Sequence, residues 1–391
     1  ILQSVFSNLK ITNFIEIYAH ANISLGGDSM CLSQFFEKEV GIHTFLLRRE
    51  LHDYAEYRKY KLVLQRYVSK RRDNGNDCYI KSNYFEVIGY YGLTAVLQMK
   101  NGFAQLDLIV NPANLLSNSY RQTDIFTQKE LCKVVSVKIN LALTNLKLSV
   151  DLFKLSRIDL CANINMTSQL LQTYLKLGNK SYKAHNIEKE FFDDSESNEH
   201  SLTLKCRSYE VEIYDKEYEV AKRTSNPLPE GTFGKKLRIE VRLAREIIRH
   251  YINYPEILYE VLQAFFDEKE EIMRDKLEYC FYPGTYTTLE NALCLIKSGK
   301  FNQKTAEIME EILRSKTNII ITLNNIQQKF SLSDKATQRI NKKFQKIGIS
   351  ATTITIRDAK SCACDFLPSF YDIIAKKRIT NQMEYSESYY S

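Results

Sequence analysis

The chain of 391 residues is long enough to bury a sizeable core and to hold two or three domains. At 44% hydrophobic and 26% charged it has the composition of an ordinary soluble protein, and no apolar run reaches the roughly 18 residues that span a bilayer, so no membrane partner is expected. The net charge of +7 permits nucleic-acid binding without demanding it.

The chain begins at Ile1 rather than methionine, so a missing natural start is expected. Asn8, Lys10, Asn13 and Glu16 interrupt any apolar segment of a signal peptide, and none is expected there. The nine cysteines are scattered and odd in number, with Cys362 and Cys364 the only close pair. That usage argues against a disulfide framework and for a reduced, cytoplasmic setting. The histidines form no His-x-His or His-x-x-x-His pair, which argues against a histidine-rich metal site.

Residues 1–43 read as strand and loop, with a turn at Leu25-Gly26-Gly27-Asp28. Residues 45–72 read as a helix carrying nine Lys/Arg against three Asp/Glu, with Tyr54, Tyr57 and Tyr60 at every third position. Such a helix is either a solvated amphipathic one or a DNA-backbone contact, in which Arg58, Lys59 and Arg66 would meet phosphates and the tyrosines would stack. A turn comes next at residues 73–77. Residues 85–91, 93–99 and 103–110 then alternate with period two, predicting a three-stranded meander. Thr127-Gln128-Lys129-Glu130 has the form of a capping box for a helix ending near Leu143.

Residues 153–165 form the next strand, with Ile158, Leu160, Ala162 and Ile164 on one side and Arg157, Asp159, Cys161 and Asn163 on the other. A short helix (169–177), a polar loop (193–199) and the segment 209–219 come next. In that segment Val211 and Ile213 face one way and Glu210, Glu212, Tyr214 and Lys216 the other, before a charged turn or helix start. Residues 235–243 again alternate, setting Arg238, Glu240 and Arg242 against Leu237, Ile239, Val241 and Leu243.

Beyond Ala244 the sequence turns helical and basic, placing a domain boundary near residue 255. Within that region, residues 323–330 and 334–347, joined through Ser331-Leu332-Ser333, resemble a helix-turn-helix with Ser333 as N-cap. Residues 329–346 hold six Lys/Arg and one Asp, so Lys342 and Lys343 are candidate DNA contacts. The expected organisation is an N-terminal segment (1–83), a catalytic domain (84–254) and a helical C-terminal region (255–391). The expected fold is α+β, an antiparallel sheet with helices packed on one face.

On the polar sides of these strands stand Asp159, Glu240 and, as a weaker member, Asp107, together with Tyr214. One reading is a solvated face laced with Arg–carboxylate pairs, each worth little. The other is a site in which the carboxylates hold a divalent metal, with Arg157, Arg238, Arg242 and Lys216 as neighbouring cations. Oxygen donors without histidine or cysteine favour Mg²⁺ or Mn²⁺.

Three short motifs in order, Arg157-Ile158-Asp159, Ile213-Tyr214-Asp215-Lys216 with Glu219, and Leu237 to Leu243 around Glu240, resemble rolling-circle replication initiators. The likeness is to filamentous-phage replication endonucleases and the related plasmid initiators and relaxases, and it covers about residues 84–255. The strand of Asp107 running into Asn111-Pro112-Ala113-Asn114 is similar too. The resemblance implies that Tyr214 cuts one DNA strand and stays joined to its 5′ phosphate. It implies that Lys216 and Glu219 complete the tyrosine motif and that Asp159 and Glu240 hold the metal or position the phosphate. The His-hydrophobic-His motif of many nickases is missing, in keeping with an acidic-site branch.

The expected function is nicking and rejoining at an origin during rolling-circle replication or mobilisation of a phage- or plasmid-like element. Partners would be single- and double-stranded origin DNA, Arg157, Arg238 and Arg242 being candidate DNA contacts, with a host helicase and a single-strand-binding protein. The rivals are a DNA-binding or regulatory protein without chemistry, and a metal-dependent nuclease that uses water while Tyr214 merely packs.

Overall fold

The computed structural model describes residues 37–66, 84–87, 89–100, 103–119, 125–183, 187–193, 199–223, 235–251, 257–282, 284–315 and 319–375. The expected turns at 25–28 and 73–77 and the loop around 226–234 lie outside the described residues, as do residues 194–198, most of the polar loop expected at 193–199.

The chain divides into two compact units, Lys38–Tyr282 with Phe370–Lys377, and Pro283–Ser369. The division falls after Tyr282, later than the change of character near residue 255. The reason is the helix Leu258–Cys280, which buries Leu262, Phe265, Met273 and Leu277 against the first unit instead of opening a second.

The first unit is a nine-stranded sheet in which every pair of neighbours is antiparallel. Its strands are β1 (Lys38–Leu51), β2 (Tyr84–Glu86), β3 (Leu93–Lys100), β4 (Phe103–Val110), β5 (Lys154–Asn165), β6 (Glu188–Asp193), β7 (Glu199–Lys205), β8 (Tyr209–Asp215) and β9 (Lys236–Ala244). Their spatial order is β2-β3-β4-β1-β5-β9-β8-β7-β6. One face carries Phe45, Leu47, Leu106, Leu108, Ile158, Leu160, Ile239, Val241, Val211 and Ile213, all buried. Helices cover that face: Ser168–Ser181 packs on β7 and β8, and Leu258–Cys280 on β1, β5 and β8. The fold is therefore α+β with the helices on one side, as alternation predicts.

Residues 45–51 are strand, not helix. Phe45 and Leu47 are buried in β1, which pairs with both β4 and β5; among the described residues of this stretch the helix is Tyr54–Arg66, and residues 67–72 lie outside the described residues. The helical tyrosine spacing extends no further back, because two-sided pairing in the middle of the sheet satisfies the β1 backbone. The capping box at Thr127 does not form either. A 3₁₀ turn, Lys129–Leu131, has Gln128 at its N-cap without a side-chain bond and leads into the helix Cys132–Asn145.

The second unit is mainly helical around a small mixed sheet. β10 (Thr285–Thr288) lies between β11 (Ile349–Ile354), parallel to it, and β12 (Phe366–Leu367), antiparallel. The helices Ile319–Phe330 and Asp334–Lys346 form the expected pair, and Ser333 Oγ caps the second by accepting from the Ala336 amide at 3.3 Å.

Candidate active site

Tyr214 is the penultimate residue of β8 because Asp215 ends the strand, its Oδ1 accepting from the backbone N–H groups of Glu217 (3.0 Å) and Tyr218 (3.1 Å). This cap opens the helix Lys216–Arg223. Alternation puts Val211 and Ile213 under the helices and Glu210, Glu212 and Tyr214 on the opposite face of the sheet.

Strand register then assembles the rest. Tyr214 lies opposite Arg238, Glu212 opposite Glu240, and Glu210 opposite Arg242. On the far side of β9, Asn163 lies opposite Arg238, Cys161 opposite Glu240, and Asp159 opposite Arg242. Three strands thus bring four carboxylates, two guanidinium groups and a phenol into one strip. The strip is not a solvated face. Arg238 is 0% exposed, Asp159 1%, Glu240 3% and Tyr214 6%. Buried charges at such spacing are strongly coupled and must be paired, unlike surface pairs worth about 0–1 kcal/mol.

Glu240 is the hub. Its Oε1 accepts from the Tyr214 hydroxyl at 2.6 Å and lies 3.0 Å from His43 Nδ1 and 3.6 Å from an Arg238 amino nitrogen. Burial alone would raise its pKa. The His43 imidazole, the Arg238 guanidinium and the Tyr214 hydroxyl outweigh burial and hold the carboxyl well below the usual carboxylate range. Burial and the facing Glu240 charge push the Tyr214 phenol well above its ordinary value, so at rest it is the donor in that bond. Lys216 is buried as well, with Nζ 2.6 Å from Glu219 Oε2 and 5.8 Å from the centre of the Tyr214 ring. Burial, then repulsion from Arg238, lowers its pKa against the pull of Glu219.

Asp159 accepts from Thr44 Oγ1 through Oδ2. Its Oδ1 is buried without a hydrogen bond, approached by Arg157 Nε at 3.1 Å and Arg242 Nε at 3.5 Å. The Arg242 guanidinium also meets Glu240 Oε2 at 3.9 Å, Glu210 Oε1 at 2.6 Å and Glu212 Oε2 at 3.5 Å. Asp159 Oδ1 and Glu240 Oε2 therefore share one cation at distances longer than hydrogen bonds, a donor pair that suits Mg²⁺ or Mn²⁺. Among the described residues, no three His, Cys, Asp or Glu side chains already form a set able to hold an ion.

Of the expected site residues, Asp107 is placed elsewhere, and Arg238 is in the strip but closed off from solvent. Asp107 is bound in two-pronged fashion by Arg48 (2.8 and 2.9 Å) and lies opposite it on β1, whereas Asp159 lies opposite Thr44. Four residues of strand separate those two positions, about 13 Å, so Asp107 does not join the strip. Arg238 is sealed inside, its Nε donating to Asn163 Oδ1 at 2.7 Å, and so cannot serve as a DNA contact. Arg157 and Arg242 remain about a third exposed, at 32% and 31%. Arg58 lies 4.5 Å over the Tyr54 ring and Lys59 is exposed, while the Arg66 side chain lies outside the described part of the helix. Tyr218 stacks on His200 with ring centres 3.4 Å apart.

Three contributors were not foreseen. Thr44 and Asn163 follow from alternation once the pairing is known, but His43 obeys no periodic signal. Glu212, already on the same face as Tyr214, proves electrostatically loaded: burial and then Glu240 push its carboxyl up to about 7, against Arg242. A raised folded pKa contributes stability below the ordinary value near 4.5 and loses it as pH rises through about 7. Glu212→Gln is therefore expected to be more stable than wild type at pH 8, by about 1 kcal/mol or roughly 2–4 °C in melting temperature. The figure is discounted because the side chain is partly solvated. The gain should vanish near pH 4, and thermal melts at the two pH values check it.

Compared with known proteins, the chain matches no family model, and no curated protein matches it.

Proposed function

We propose that the chain nicks and rejoins DNA through Tyr214, initiating rolling-circle replication or mobilisation of a phage- or plasmid-like element. The observation that carries this reading is the Tyr214 hydroxyl held 2.6 Å from Glu240 Oε1, beside Asp159, Arg242 and Lys216. A phenol is a poor nucleophile until its proton has somewhere to go, and Glu240 is already the acceptor.

The tyrosine oxygen attacks the scissile phosphorus while its proton passes along the hydrogen bond to Glu240 Oε1 and on to solvent, since Glu240 is too weak a base to keep it. The bond from phosphorus to the 3′ oxygen breaks, leaving the 5′ phosphate on Tyr214. The departing 3′ oxygen takes a proton, for which Lys216 Nζ is placed at the same strand end. Arg157 and Arg242, the partly exposed cations, meet the charge growing on the phosphate. A divalent ion held by Asp159 and Glu240 would add Lewis-acid polarisation of that phosphate. The ester retains the bond energy, so attack by a 3′ hydroxyl reverses the step without a nucleotide cofactor.

Origin recognition falls to two basic surfaces in this reading. On the helix Asp334–Lys346, Thr337, Ile340 and Phe344 are buried, which turns Lys335, Arg339, Lys342 and Lys346 to solvent along one side. Lys343 is half-buried, Nζ 5.8 Å from the Phe301 ring centre. Reversing charge at Lys342 and Lys343 is expected to weaken duplex binding and lower the slope of log affinity against log salt by up to about 2. Filter binding across a salt series measures it, and unchanged binding removes this helix from duplex recognition. The second surface is the helix Tyr54–Arg66, where Tyr54 and Tyr57 stack with ring centres 5.7 Å apart beneath Arg58. A host helicase and a single-strand-binding protein would complete strand displacement in the cytoplasm. Among the described residues no helix is long and apolar enough to cross a membrane.

A second reading has one observation in its favour. Burial keeps the Tyr214 phenol protonated, as in a DNA-binding protein that retains the sheet without the chemistry. The deciding experiment incubates wild-type protein with a labelled single-stranded oligonucleotide from the element's origin and Mn²⁺ or Mg²⁺, then runs a denaturing protein gel. A protein-linked label mapping to Tyr214 supports nicking and joining. Cut DNA with free 5′ phosphates and no link supports hydrolysis by water. Binding without cutting supports the second reading.

A further inference from the structure

β1 does not pair with β5 in continuous register. Ile42 lies opposite Leu160 and Thr44 opposite Asp159, so His43 is an extra residue, a β-bulge. A bulge breaks alternation and re-aims side chains. Here it turns two successive side chains onto the polar strip, each toward a different carboxylate. Thr44 Oγ1 donates to Asp159, and His43 Nδ1 stands 3.0 Å from Glu240 Oε1. A carboxylate only accepts, so this contact is attractive when the proton is on Nδ1.

The bulge is held from outside the sheet. Ile42 and Phe126 exchange two backbone hydrogen bonds, each 2.9 Å long. At the neighbouring Gly41, a Cβ would come within 2.1 Å of the Phe126 carbonyl oxygen, so only glycine permits this approach. The clamp fixes where β1 slips, and hence which residue reaches Glu240. The Glu240 oxygen that His43 meets is the one that accepts from Tyr214.

We propose that His43 is a positioning residue, holding Glu240 Oε1 in the orientation that receives the Tyr214 proton without itself touching DNA. The proposal rests on the nicking–joining reading. It assigns a role to a histidine that no spacing motif marks, and it separates two jobs within one carboxylate. Oε1 faces the tyrosine and the histidine, while Oε2 faces Arg242.

The test compares full-length wild type, His43→Ala and His43→Asn. Three quantities are measured for each: the single-turnover rate of DNA linking, the dissociation constant for the same oligonucleotide by fluorescence anisotropy, and the melting temperature. His43→Ala is expected to slow linking roughly 10–100-fold, the range found when an outer-layer orienting group is removed, with oligonucleotide affinity unchanged. Asparagine, whose amide can place an N–H near the Nδ1 position, is expected to recover most of that rate. Linking at the wild-type rate in His43→Ala overturns the proposal. So does a rate loss in both variants that only tracks a fall in melting temperature, since that describes packing. If wild type itself forms no link, the nicking reading has failed and takes this inference with it.

Discussion

Replacing Tyr214 with phenylalanine is expected to abolish the DNA–protein link and leave the fold nearly intact. The substitution keeps the ring between Arg238 and the start of the capped helix and removes only the hydroxyl. Glu240 Oε1 loses the Tyr214 hydrogen bond but keeps the His43 imidazole at 3.0 Å and the Arg238 guanidinium at 3.6 Å, so the stability cost should be on the order of 1–2 kcal/mol. The rate of linking should fall by at least about 10³-fold, because a covalent mechanism has no substitute for its nucleophile. Tyr218 cannot take over, since its ring is stacked on His200. The measurement is labelled-oligonucleotide transfer to protein, alongside a thermal melt. A residual link in Tyr214→Phe that maps to another tyrosine would falsify the assignment of the nucleophile.

Arg238→Met should have the largest effect on stability. The guanidinium is fully buried, donates to Asn163 at 2.7 Å and lies beside Glu240 and the Tyr214 ring. Methionine fills much of the volume but leaves Asn163 short of a donor and Glu240 short of a positive neighbour. Breaking a buried pair from one side costs about 3–5 kcal/mol, roughly 10 °C in melting temperature for a unit of this size. Adding Glu240→Gln should restore part of the loss, because the uncompensated charge is then gone as well. A drop under about 2 °C in Arg238→Met would mean that this cation is not what holds the strip together. Of the two roles the sequence offers Arg238, DNA contact and cation among the carboxylates, its burial leaves the second.

The two expectations share a physical origin. Charges on one sheet face can be exposed and weakly coupled, or covered and strongly coupled. Here they are covered, so each substitution is felt by several partners. The Arg242 guanidinium faces four carboxylates, which couples Glu210 and Glu212 to the pair Asp159 and Glu240.

Period-two alternation was sufficient to place the polar sides of β5, β8 and β9, because neighbouring side chains on a strand must point opposite ways. It correctly set Tyr214, Glu240 and Asp159 on a common face and indicated an α+β fold. Alternation carries no information on which strands are neighbours or at what offset. Asp107 and Asp159 look alike in sequence, each a carboxylate at mid-strand, and only the register of β4 and β5 against β1 separates them. Burial was likewise hidden: Arg238 and Arg242 stand four residues apart on one strand, yet one is sealed and the other reaches solvent. At residues 45–51 the local pattern favoured a helix, and pairing on both edges of β1 overrode it.

Local composition and periodicity determined the strands β5, β8 and β9, their polar and apolar sides, and the tyrosine strand with its charged helix start. These depend on neighbouring residues alone. Tertiary structure decided that β1 runs through the middle of the sheet and that Asp107 stands apart. It also decided that a bulge clamped by Phe126 brings His43 to Glu240. Those outcomes depend on backbone hydrogen bonds between distant segments, and a shift of one residue in such pairing exchanges one face for the other.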